Sequence, residues 1–160
     1  MWKEKIEEII KRYEEITEKR KKINALLEVL RQLKEEGIIG EYEENVIKQR
    51  INWIPTSGNA YITIPVSSEL QTKLEEVMQY LLTSKYKVSS IDVEVSTREV
   101  RLTRAGSTEE KAKELGIDYA GYKDGHGDGF TDYFLLGTTE VDGVTVYVYL
   151  VVTNYTESDC

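Results

Sequence analysis

Cysteine is nearly absent: Cys160 is the only one among 160 residues, so the chain closes no internal disulfide and builds no multi-cysteine zinc site. Proline occurs twice, at Pro55 and Pro65, and histidine once, at His126. No apolar run is long enough to cross a bilayer, and the opening MWKEK interleaves acids and bases with no apolar segment behind them. A membrane-spanning or secreted protein is therefore not expected, and a cytoplasmic setting is. Also missing are a Gly-x-Ser-x-Gly elbow, a phosphate-loop lysine motif and a dinucleotide fingerprint. Asparagine and glutamine are few, and 11 tyrosines outnumber 2 phenylalanines. With Glu and Lys dominating the charged residues, that balance leans towards a thermophilic source.

Basic residues become scarce towards the C-terminus. Residues 1–37 carry ten bases and nine acids, residues 38–104 eight and nine, and residues 105–160 three and eleven, so the last third holds the whole net charge of -8. Phosphate binding needs neutralising Lys or Arg, which argues against nucleic acid on the C-terminal surface. The same acidity suits a cation, or mimicry of a polyanion towards a basic protein partner.

What the chain does have begins with a long helix. Residues 2–36 contain no Gly or Pro, and Trp2, Ile6, Ile9, Tyr13, Ile16, Arg20, Ile23, Leu27, Leu30 and Lys34 recur at alternating spacings of four and three. That is the a/d seam of a heptad repeat, interrupted at Arg20 and Lys34. Self-association as a homo-oligomer is expected through Ile9, Tyr13, Ile16, Ile23, Leu27 and Leu30. Ile10, Leu26, Val29 and Leu33 widen the stripe, so the helix is also expected to pack on its own domain. Gly37 and Gly40 close it. A second helix over 41–54, with apolar face Tyr42, Val46, Ile47, Ile51 and Ile54 and a stop at Pro55, would return antiparallel. The expected organisation is thus a helical hairpin over 1–54, with a coiled-coil segment at 2–36, and an α+β domain over 55–160.

From residue 59 the period changes to two, with Ala60, Ile62, Ile64 and Val66 alternating, which predicts a strand with Pro65 at an edge or end. Ser68 and Gln71 open a helix to Thr83. Val93 and Val95 face Leu102 and Val100 in a predicted hairpin looped at 96–99, which sets Glu94 opposite Arg101. Ser107 and Glu110 form a capping box for a helix ending at Leu115, and strands near 130–139 and 143–153 join at Asp142-Gly143. The βαββαββ order contains the split βαβ pattern of ferredoxin-like sandwiches, so the expected fold is a mostly antiparallel sheet with helices on one face.

Reactive groups are concentrated at residues 124–132, which read DGHGDGFTD. Asp124, His126 and Asp128 at alternate positions resemble the opening of a calcium loop, but an imidazole replaces one oxygen ligand and Leu135 stands where the closing acid belongs. Manganese or zinc would accept that mixed set, with Asp132 as a further ligand, so the candidate divalent cations are Mn, Zn and Ca. On that basis a metal-dependent phosphodiesterase or nuclease is one reading, with His126 as the catalytic general base. The plainest reading of the stretch is a solvated turn. Asp92 and Glu94, with Glu99 nearby, are a weaker candidate for paired nuclease carboxylates, since Glu94 opposite Arg101 reads as an ordinary cross-strand charge pair. Tyr119, Tyr122 and Tyr133 offer a surface for a partner. Taken together, the residues favour a non-enzymatic, oligomeric interaction or regulatory protein with an acidic C-terminal surface. The metal-dependent hydrolase and a nucleic-acid-mimicking inhibitor of a basic partner stand as alternatives.

Overall fold

The computed structural model describes residues 1–82, 86–124 and 129–156. Helix α1 runs Trp2–Glu35 and ends in a Schellman motif: Gly37, at φ 76°, donates its N–H to the Lys34 carbonyl at 3.0 Å, and Ile38 donates to Leu33 at 2.9 Å. At 1.5 Å per residue such a helix is about 51 Å long. Its buried residues, Ala25, Leu26, Leu27, Val29, Leu30 and Leu33, all lie in the C-terminal part. They pack on the sheet, against strands that include the central ones.

Helix α2 is shorter than its periodicity suggests, Glu44–Arg50, and Ile47 is its buried residue. The rest of the predicted 41–54 helix forms strand β1, Asn52–Ile54, which pairs antiparallel with β2, Asn59–Pro65. The spacing of Ile47, Ile51 and Ile54 is helical, yet the backbone turns extended at Ile51. The hairpin wins because Gly58, at φ 66°, closes a turn onto the Ile54 carbonyl and gives this short segment a strand partner for its backbone. No long antiparallel helix therefore covers α1. Instead α2 meets the C-terminal end of α1 through an Arg31–Glu44 ion pair.

Helix α3 spans Ser68–Leu81 and is capped by Ser67, whose Oγ accepts from the Leu70 N–H, rather than by Ser68. Strand β3, Tyr86–Ser96, is long and continuous. It pairs with β2 on one side and with β6, Val144–Thr156, on the other. The predicted 91–102 hairpin is thus absent: Val93 and Val95 stand opposite Leu150 and Val148, and Glu94 opposite Thr63 and Tyr149 rather than Arg101. Arg101 pairs with Glu99 at 3.1 Å. Helix α4 spans Gly106–Leu115 after Ala105, with no side-chain cap, so the predicted Ser107 box does not form. Strands β4, Asp118–Asp124, and β5, Phe130–Val141, complete a six-stranded sheet in the order β1-β2-β3-β6-β5-β4, with every neighbouring pair antiparallel. A split βαβ order would put the strands flanking a helix parallel and apart, whereas β2 and β3 flank α3 as antiparallel neighbours. The α+β class and the antiparallel sheet hold, and the ferredoxin-like order does not.

Ile91, Val93 and Val95 share one core with buried residues of α1, α3 and α4 and with Ile47 and Ile51, so residues on both sides of position 54 build the same interior. A smaller cluster of Tyr133, Tyr149 and Val151 is joined by Val100 and Leu102 from the segment after β3. Val100 donates its N–H to the Tyr149 hydroxyl at 2.7 Å, and Leu102 and Thr103 bond to β4. This strap lies so close to β4 that a Cβ on Gly121, at φ 112°, would sit 2.7 Å from the Leu102 and Thr103 carbonyls.

Candidate functional site

The β4–β5 ladder separates the two described aspartates of the 124–132 stretch into different surroundings. Asp124 is exposed at the end of β4, opposite Phe130, whereas Asp132 is paired with Tyr122 and Val152 and is only 4% exposed. His126 and Asp128 lie outside the described residues, so two members of the predicted metal set, including the predicted base, have no position here. Among the described residues no three His, Cys, Asp or Glu side chains gather into a metal-holding group.

Asp132 is instead the centre of a hydrogen-bond network. The Tyr119 hydroxyl donates to its Oδ1 at 3.0 Å and the Asn154 amide to its Oδ2 at 2.8 Å. Asn154 Oδ1 in turn accepts from the Phe130 N–H at 3.3 Å, and the Tyr119 hydroxyl accepts from the Ala105 N–H at 3.4 Å. Three strands and the start of α4 are thereby tied to one carboxylate. Burial pushes its pKa above the usual carboxylate range, and the Tyr119 and Asn154 donors only partly oppose that. Burial, followed by the nearby Asp132 charge, likewise raises Tyr119.

Asp132 and Asn154 also line a cavity of about 280 Å³. Its walls are Tyr86, Tyr122 and Phe130, with Leu82 from the end of α3 and Ser107 and Thr108 from the first turn of α4. The Phe130 ring meets Tyr86 at 5.2 Å and 71° and Tyr122 at 5.3 Å and 88°, so successive ring planes turn near-right-angled corners. Among the described residues no Lys or Arg lines the cavity. Gly129 allows this closeness, because a Cβ there would lie 2.0 Å from the Asn154 carbonyl oxygen.

The predicted tyrosine surface is corrected by burial: Tyr119 and Tyr133 are both interior, and only Tyr122, a cavity wall, is partly exposed. Tyr133 lies on the other side of the sheet from Tyr119, beside Lys123 and the buried Glu94. Burial raises Glu94, opposed by the Lys123 charge and by hydrogen bonds from Thr63 and Tyr133. A larger cleft of about 520 Å³ collects Arg101, Arg104 and Lys113, but Glu99, Glu109 and Asp118 line it too. Two of its bases are already paired, Arg101 with Glu99 and Arg104 with Glu109, each at 3.1 Å.

The predicted oligomer interface divides at Ile23. Leu27 and Leu30 are buried in the chain's own core and cannot meet a partner, and Ile23 packs partly against that core. Ile9, Tyr13 and Ile16 are 66%, 69% and 52% exposed, and Trp2, Ile6 and Ile10 extend the same exposed stripe. The body reaches back along α1 as far as Lys19, which lies over the Trp53 ring, and Lys22, which donates to the Gly58 carbonyl at 2.8 Å. No protein-family model, curated protein or solved structure matches the chain.

Proposed function

We propose that the protein is a self-assembling interaction protein, its copies joined in parallel through the first half of α1. The observation that carries this reading is the exposure of six large apolar side chains, Trp2, Ile6, Ile9, Ile10, Tyr13 and Ile16, on one stripe of a helix. Contiguous apolar surface of that kind marks an interaction site, and the heptad spacing matches that of a second helix of the same kind. The charges favour a second copy in one orientation. With Ile6 and Tyr13 at a, and Trp2, Ile9 and Ile16 at d, the g flank carries Lys5, Arg12 and Lys19 and the e flank Lys3, Ile10 and Thr17. An antiparallel pair would bring the basic g flank against itself. A parallel pair sets Lys5 against the partner's Ile10 and Arg12 against the partner's Thr17, with no like charges opposed. The acids Glu4, Glu7, Glu8, Glu14, Glu15 and Glu18 then remain on the solvated side. In such an assembly the acidic last third of each copy would be offered to a basic protein partner rather than to nucleic acid.

Cross-linking tests both the assembly and its direction. In a Cys160→Ser background, oxidation of Ile6→Cys is expected to give a disulfide-linked dimer, since facing a positions of a parallel pair are close. Cross-links formed only in a mixture of Ile6→Cys and Ile16→Cys copies would reverse the orientation, and none at all would remove the reading.

A further inference from the structure

Helices α1, α3 and α4 share a core with Ile91, Val93 and Val95 of β3, on one face of the sheet. The alternate β3 residues belong to the other face, where Glu94 stands between Thr63 of β2 and Tyr149 of β6. Glu94 is only 6% exposed, yet it lines a cavity of about 330 Å³. A buried carboxylate is costly unless charges and hydrogen bonds compensate it. Thr63 Oγ1 donates to Glu94 Oε1 at 3.4 Å, which is a long bond. Burial pushes the Glu94 pKa up, and Lys123, Thr63, Tyr133 and Arg98 oppose that rise, in that order.

Lys123 and Arg98 line the same cavity from its exposed rim. The Lys123 ammonium lies 5.2 Å from the centre of the Tyr133 ring. Arg98 is set in place by its neighbours: Ser96 Oγ donates to the Arg98 carbonyl at 2.8 Å and accepts from its N–H at 3.1 Å, while the Thr97 N–H donates to the Ala60 carbonyl at 2.9 Å. Two exposed cations and one buried anion thus face a single space, whose wall also includes Ile54, Val100 and Leu102.

We propose that this cavity binds a zwitterionic amino acid with an apolar side chain, its carboxylate held by Arg98 and Lys123 at the rim and its ammonium by Glu94 in the floor. A simple anion would satisfy the rim but set a second negative charge near Glu94. A simple amine would compensate Glu94 but leave its other end facing two cations. A zwitterion meets both signs in the order in which the cavity presents them. Ile54, Val100 and Leu102 supply apolar surface for the side chain, and about 330 Å³ has room for one of moderate size. The site is on the sheet face away from α1, so it stands or falls separately from assembly.

The test uses the full chain and leucine as the probe, read by calorimetry and by NMR shifts of the Tyr61 and Tyr133 rings and the Val100 and Leu102 methyls. Two controls each lack one charge: 4-methylpentanoate has no ammonium and 3-methylbutylamine no carboxylate. Leucine is expected to bind, and each control to bind roughly tenfold or more weakly. Glu94→Gln is expected to weaken leucine by a similar factor without weakening 4-methylpentanoate. Should Glu94→Gln not fold, Arg98→Gln at the exposed rim is expected to weaken leucine without weakening 3-methylbutylamine. Binding of either control as tightly as leucine would overturn the proposal. So would no binding of leucine, or an Arg98→Gln chain that binds leucine as the parent does.

Discussion

Asp132 brings a carboxylate into an interior that offers it the Tyr119 hydroxyl and the Asn154 amide. Because its folded pKa lies above that of the unfolded chain, the protonated form is favoured by folding. The stability contributed by such a group is fully present below the ordinary carboxylate value near ~4 and is lost as pH rises through the raised folded value. Asp92 and Glu94, both raised by burial, act in the same direction. Asp132→Asn is therefore expected to make the fall in melting temperature from mildly acidic to neutral pH shallower than in the parent. An unchanged slope would show that Asp132 does not titrate with folding. Tyr119→Phe, which removes a donor to Asp132 and an acceptor for Ala105, is expected to cost about 1–3 kcal/mol, read by denaturant unfolding. At this scale the sequence singled out Asp132 without its partners. Asp132 stood out as a candidate metal ligand, yet its partners Tyr119 and Asn154 are 13 and 22 residues away, brought together only by strand pairing. Tyr86 and Phe130 carried no local signal, since an aromatic residue at a strand end reads the same whether it lines a cavity or solvent.

Helix α1 is buried in its C-terminal part and exposed in its N-terminal part, and the change falls near residue 23. Leu27→Ala removes side-chain volume that is 1% exposed and is expected to destabilise the fold by about 2–5 kcal/mol. Ile9→Ser, on the exposed half, is expected to leave the unfolding of a dilute sample unchanged and to abolish the rise of melting temperature with protein concentration that self-assembly confers. Melting curves across a concentration series check both. The helix was legible because its period is strong and uninterrupted by Gly or Pro, and α3 and the Asp142-Gly143 hairpin were legible for similarly local reasons. In that hairpin both turn residues have positive φ, 49° and 78°. Elements decided by their neighbours were less legible. Residues 52–54 left a helical pattern because β2 offered them a hairpin. Residues 99–104 did not return as a strand because β6 already occupied the free edge of β3. Strand β4 was missed altogether, its Gly121 and clustered polar residues resembling a loop until β5 pairs with it.

The whole molecule is a six-stranded antiparallel sheet sharing one core with α1, α3 and α4, and an arm of helix extends from it with apolar side chains in solvent. Strand order could not be read from the sequence because β6, the C-terminal strand, pairs with β3 some sixty residues earlier, and no local pattern encodes so distant a partner. Residues on both sides of position 54 share a core that forms only once the distant strands meet. The exposed arm is the feature that the core does not account for, and it is the surface through which copies are proposed to assemble. Light scattering of the full chain over a range of concentrations tests that assembly. A mass that is a multiple of 18.4 kDa, reduced to 18.4 kDa by Ile9→Lys with Ile16→Lys, is the expected result. A wild-type chain that stays at 18.4 kDa up to the highest concentration would contradict it.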